Sequence, residues 1–117
     1  MLPKELRLSK KKDFDEVFRR GRKKVFRHFF VHWQRTNLGH PRVGIIVSNK
    51  VSKKAVIRNT IRRRVREIIW KTVGRDQSID TIILAKQGSV NASYLEIKED
   101  IQKGMEEILR QAKNISV

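Results

Sequence analysis

Cysteine is absent from the 117 residues, so neither a disulfide framework nor a thiolate-bound zinc site is open to this chain. That fits a reducing compartment. An apolar stretch long enough to span a bilayer is also missing: 34% of the residues are charged and the mean hydropathy is −0.56. Met1 to Lys12 hold no apolar segment of signal-peptide length before their basic residues. A soluble, cytoplasmic protein with no membrane contact is the expectation. No G-x-G-x-x-G, G-x-x-x-x-G-K-[ST] or G-x-S-x-G pattern occurs, which removes the common nucleotide-binding and hydrolase motifs.

Acidic residues are scarce and unevenly placed. Against 28 Lys and Arg stand 12 Asp and Glu, a formal net charge of +16. Residues 1–41 carry 12 basic and 4 acidic side chains (+8), 42–75 carry 11 and 1 (+10), and 76–117 carry 5 and 7 (−2). Charge kept for solubility alone would be spread along the chain. Here the first two thirds face a polyanion, and nucleic acid and anionic membrane are the two obvious ones, since Lys and Arg placed on phosphates release condensed counterions.

What is present is a chain of single-domain length, 1–117, with clear apolar periodicity. Phe14, Val17 and Phe18 recur at i, i+3, i+4, which predicts a helix over Lys10 to Arg20, capped by Ser9 and ended by Gly21 in a left-handed conformation. Arg27 to Arg35 (RHFFVHWQR) predicts a strand with Phe29, Val31 and Trp33 on one face and Phe30, His32 and Gln34 on the other. After the turn residues Thr36 to Pro41, Val43, Ile45 and Val47 alternate in a second strand, and the two are expected to form a hairpin.

From about Ser52 the period changes. Ile57, Ile61, Val65 and Ile68 share an arc of roughly 80° on a helical wheel, while Asn59, Arg62, Arg63 and Arg66 share another of roughly 100°, with Arg58 between them. Gly74 should close this helix. The apolar run Asp80 to Ala85 predicts a strand buried on both faces, and Ser93 with Glu96 predicts a capping box for a last helix. Tyr94, Ile97, Ile101, Met105, Ile108 and Ala112 form its inner row, with Glu99, Asp100, Glu106 and Glu107 solvated. The order helix, strand, strand, helix, strand, helix implies a sheet with helices packed on it.

The segment Lys53 to Glu67 (KKAVIRNTIRRRVRE) is the sharpest functional signal, seven of its fifteen residues being Lys or Arg. A merely solvated helix face would intersperse both signs. Arginines fork onto phosphate oxygens and stack on bases, and the Asn59 amide can read a base edge or ribose hydroxyl. Phe14 and Phe18 suit either the inner face of a helix or a platform for single-stranded bases, and Phe30 and His32 share that choice. A nuclease built on His28, His32 and His40 finds no support, because no carboxylates cluster with them in the sequence.

Together these residues resemble the protein component of bacterial ribonuclease P. The likeness lies in Arg7-Leu8, in Asp13-Phe14-x-x-Val17-Phe18-x-x-Gly21, in Pro41-Arg42-Val43-Gly44, and above all in Arg58-Asn59-x-Ile61-Arg62-Arg63-x-x-Arg66-Glu67. The resemblance implies an α/β (α+β) two-layer sandwich, a mixed sheet of about four strands with three helices in the order α-β-β-(β)-α-β-α, and a left-handed βαβ crossover. It implies an accessory subunit of an endoribonuclease, with no catalytic residue and no metal of its own. The catalytic RNA subunit hydrolyses the phosphodiester with Mg²⁺, and the protein helps remove the 5′ leader of precursor tRNA. It assigns Arg58, Asn59, Arg62, Arg63 and Arg66, with Lys50 and Lys54, to the catalytic RNA, and Phe14, Phe18, Phe30 and His32 to a leader-binding cleft. No obligate protein partner is expected. Thr60 stands where the family usually has a basic residue, and Asn49 and Ser52 replace the usual Lys and Gly of the preceding loop.

Overall fold

The computed structural model describes residues 3–114. After a 3-10 turn at Lys4–Leu6 come α1 (Lys11–Arg20), β1 (Arg22–Val25), β2 (Phe29–Arg35), β3 (Arg42–Ile46), α2 (Ala55–Thr72), β4 (Ile79–Ala85), a second 3-10 turn at Gln87–Asn91, and α3 (Tyr94–Lys113). The strands form one mixed sheet in the order β1-β2-β4-β3, with β3 parallel to β4 and the other neighbours antiparallel. This is the α+β architecture expected, with β3 and β4 joined through α2.

Side-chain alternation gives the sheet two different faces. Phe29, Val31 and Trp33 of β2 are buried, and the register sets them beside Ala85, Ile83 and Thr81 of β4. That face carries the larger core, closed by Ile61, Val65, Ile68 and Ile69 of α2 and by Ile97, Ile101, Met105 and Ile108 of α3. On the opposite face α1 packs alone: Leu8, Val17 and Ile82 are buried against the half-buried Phe14, Ile46 and Leu84. The helices thus divide two to one between the faces, and α1 leaves part of its face open.

The expected hairpin does not form. β4 inserts between β2 and β3, because its five consecutive buried residues, Ile79 to Ile83, can lose water on both faces only at an interior position. The turn is present, with Gly39 at φ 83, but it wraps the start of β4: Thr36 N–H donates to the Ser78 carbonyl at 2.9 Å and Gly39 N–H to Ser78 Oγ at 2.8 Å. Strand β1 was hidden in the sequence because Arg-Lys-Lys-Val has no apolar alternation; backbone pairing with β2 defines it.

Several helix ends differ from expectation. Lys10, not Ser9, is the N-cap of α1, with no side-chain cap bond, since Leu8 N–H donates to the Val43 carbonyl and holds the preceding chain along β3. Gly21 is extended, at φ −76 and ψ 177. Its lack of a side chain matters sterically: a Cβ there would lie 2.6 Å from the Trp33 carbonyl oxygen and would overlap that of Val17. α2, by contrast, ends as expected, with Val73 as its C-cap and Gly74 directly after it. The capping box of α3 is formed as expected, but Tyr94 lies over a third exposed and the inner row begins at Ile97. Asp100 is not a solvated acid, for its carboxylate accepts the N–H groups of Arg27 at 2.9 Å and His28 at 2.8 Å, pinning the β1–β2 turn to α3. Among the described residues no helix is long and apolar enough to cross a membrane.

Candidate nucleic-acid interface

The sequence-predicted residues fall into two groups that the sheet keeps apart. The first is on α2, whose apolar stripe is spent on the core, so that its arginine arc turns outward. Arg58 Nη1 donates to the Ser52 carbonyl at 3.0 Å, and Arg62 donates to Asn59 Oδ1 at 2.7 Å and to the Val47 carbonyl at 3.1 Å. These two arginines therefore also brace the β3–α2 loop. A guanidinium has five N–H donors, so each keeps donors for a ligand. Arg63 is exposed and Arg66 half-buried, and neither has an acidic partner among the described residues. A cavity of about 480 Å³ is lined by Asn49, Lys50, Lys53 and Arg58, with no carboxylate in its wall. Lys54 is exposed just before the helix, and the Thr60 hydroxyl donates back to the Val56 carbonyl at 2.9 Å, one turn up.

The second group lies on the opposite face, where α1 leaves the sheet open. Phe18 is 41% exposed and meets His32 edge to face, with ring centroids 4.8 Å apart. Phe14 is half-buried, its ring resting on the β3 backbone: a Cβ at Gly44 would lie 2.6 Å from its Cζ. Phe14 thus floors the cleft and Phe18 forms its wall. Burial, and secondly the charge of Lys23, holds the His32 pKa below its ordinary value, so the ring is neutral at pH 7. Phe30 is exposed, with the ammonium groups of Lys23 and Lys86 at 4.8 and 4.7 Å from its ring centroid.

What fixes α1 over this face is a charge network the sequence did not reveal. Arg42 Nε and Nη2 fork onto the buried Asp80 carboxylate at 2.9 and 2.7 Å, and Nη1 reaches Asp13 of α1 at 3.1 Å. The Arg42 pKa is raised, first by its hydrogen bond to Asp80. The three residues are far apart in the chain; the β3–β4 register sets Arg42 opposite Asp80, and the packing of α1 on this face brings Asp13 to them. Lys23 and Lys86 were missed for the same reason. His28 is buried in the β1–β2 turn and the His40 ring lies against the Pro41 carbonyl, so the histidines are dispersed. Among the described residues no three His, Asp or Glu side chains gather as metal ligands would.

An arginine helix without acidic partners among the described residues on one side of a sheet, and an aromatic cleft on the other, define a small cationic α+β protein with two chemically distinct faces. The ribonuclease P family profile matches residues 2–109. The ribonuclease P protein component of Streptococcus pneumoniae (strain Hungary19A-6) is 33% identical over 101 residues, 86% of this chain and 81% of the relative. The Staphylococcus aureus RNase P protein superposes with a TM-score of 0.81 at 28% identity, over 88% of this chain and 94% of that one. The Thermotoga maritima RNase P protein, at 23% identity, shares the fold, with a TM-score of 0.72 over 95% and 98% of the two chains. The chain belongs to the ribonuclease P protein family.

Proposed function

We propose that this chain binds the catalytic RNA of ribonuclease P through α2 and the 5′ leader of precursor tRNA through the cleft between α1 and the sheet. The RNA subunit, with its Mg²⁺, hydrolyses the phosphodiester and leaves a 5′-phosphate on the mature tRNA. The protein, working in the cytoplasm, supplies fixed positive charge and a single-strand track. The carrying observation is the separation of the two surfaces: arginines without acidic partners on α2, and the Phe18–His32 pair on the far face of the sheet. Crowded phosphates repel one another, and cations held in place by folding lower the concentration of Mg²⁺ needed to screen them. The chain's own residues bind and orient; Arg58, Asn59, Arg62, Arg63 and Arg66, with Lys50 and Lys54, hold the RNA, and Phe14, Phe18, Phe30 and His32 line the leader path.

The test is cleavage of a precursor tRNA by the cognate catalytic RNA at low Mg²⁺, with and without the protein, together with affinity for substrates with long and absent leaders. Stimulated cleavage, and tighter binding only when the leader is present, are expected. A folded protein that stimulates nothing overturns the reading.

A further inference from the structure

Phe30 is a poor stacking platform as it stands, because two cations already lie on its ring. Lys23 and Lys86 reach it from different strand neighbourhoods, β1 and the end of β4, at 4.8 and 4.7 Å. Neither lysine has a carboxylate partner among the described residues. Lys86 Nζ is further tethered by donating to the Phe26 carbonyl at 2.7 Å. An aromatic ring holds an ammonium by its quadrupole without neutralising it, whereas an ion pair would cancel the charge it positions. These two charges are therefore both ordered and unspent.

We propose that Lys23, Phe30 and Lys86 form a clamp for backbone phosphates of a single strand, in which Phe30 is a positioning residue for the two ammonium groups and does not stack on a base. The clamp adjoins the aromatic pair directly. Lys23 is the register partner of His32, so Phe18, His32, Lys23, Phe30 and Lys86 follow one another across the open face. Bases stack at Phe18 and His32; the phosphates that follow them meet Lys23 and Lys86. A base placed on Phe30 would have to displace both ammonium groups, which is why the ring serves the lysines. The proposal rests on the leader reading of the cleft.

Its test uses the reconstituted holoenzyme and precursor tRNAs with a long leader, with no leader, and with single abasic nucleotides stepped through the leader. Phe30→Leu should weaken long-leader binding about two- to five-fold, the scale of an exposed cation–π contact. The loss should be the same on every abasic leader, absent on the leaderless substrate, and restored by Phe30→Tyr. Lys23→Gln with Lys86→Gln should reduce the slope of log affinity against log salt by about 1.4, two single-strand phosphate contacts. If the Phe30→Leu loss disappears on one abasic leader, the ring stacks on that base and the clamp is wrong. An unchanged salt slope in the double variant overturns it equally. A wild-type holoenzyme that binds long-leader and leaderless substrates alike removes the leader reading itself, and the clamp with it, a result distinguishable from the other two.

Discussion

Asp80 is almost wholly buried, and its carboxylate is tolerable there because Arg42 meets it with two parallel N–H groups. Removing the guanidinium strands a charge in the core, a loss that commonly runs to about 3 kcal/mol or more, whereas replacing both partners by apolar groups is often close to neutral. Arg42→Ala should therefore lower unfolding free energy by about 3 kcal/mol in urea titration, and Arg42→Met with Asp80→Leu should recover most of it. A single variant within 0.5 kcal/mol of the parent would show that the network does not hold α1. His32 gives a prediction with a sign. Its folded pKa is below the unfolded value of about 6.5, so the folded chain binds fewer protons. The stability it contributes is fully present above about pH 6.5 and is lost as pH falls through the lowered folded value. Thermal unfolding from pH 7.5 downward should show this acid-side loss, and His32→Phe should make the curve flatter there. At this scale the sequence was only half legible. Arg42, Asp13 and Asp80 each stand in recognisable surroundings, but nothing in the spacing of 13, 42 and 80 says that they meet.

Elements with a strong period were readable, and those defined by partners were not. α2 and β2 show their faces directly, because burying an apolar stripe or alternate residues leaves a pattern in the chain. β1 has no such pattern, and the place of β3 depends on which strand is apolar on both faces, a property of β4 and not of β3 itself. The contact between the β1–β2 turn and α3 was equally hidden. There Phe26 is buried over Gly104, and a Cβ on Gly104 would run into its ring. Gly104→Ala should destabilise the chain by about 1 kcal/mol, overpacking of up to about 3 kcal/mol being offset in part by the better helix propensity of Ala. In a Phe26→Ala background, itself costing about 3 kcal/mol, the same change should become stabilising, because the obstacle is gone and the helix gain remains. Denaturant midpoints for the four chains of this cycle check the reversal; additive effects would mean that the ring and the glycine do not press on each other.

Over the whole molecule, the function proposed above divides the cationic helix and the aromatic cleft between the two sides of one sheet. α2 stands on the larger core and the cleft lies on the α1 face, so two stretches of RNA can be held without competing for the same charges. The sequence showed that two kinds of surface exist; that they lie back to back follows only from the sheet order. The arrangement separates variants by what they disturb. Among the described residues neither Arg63 nor Arg66 has a side-chain hydrogen bond or ion pair, so Arg63→Gln with Arg66→Gln should leave the unfolding midpoint nearly unchanged. The same pair should weaken association with the catalytic RNA and reduce the salt slope by about 1.4 to 1.8, two phosphate contacts at about 0.7 to 0.9 each. The affinity ratio between long-leader and leaderless precursors should stay at its parent value, since the proposed leader path lies on the other face. Arg58→Gln is the contrast, because its guanidinium also ties the β3–α2 loop through Ser52. It should lower the unfolding midpoint as well as RNA affinity. If the Arg63/Arg66 pair instead altered leader discrimination and left RNA association intact, the two faces would have to exchange roles, with α2 on the substrate and the aromatic cleft on the catalytic RNA.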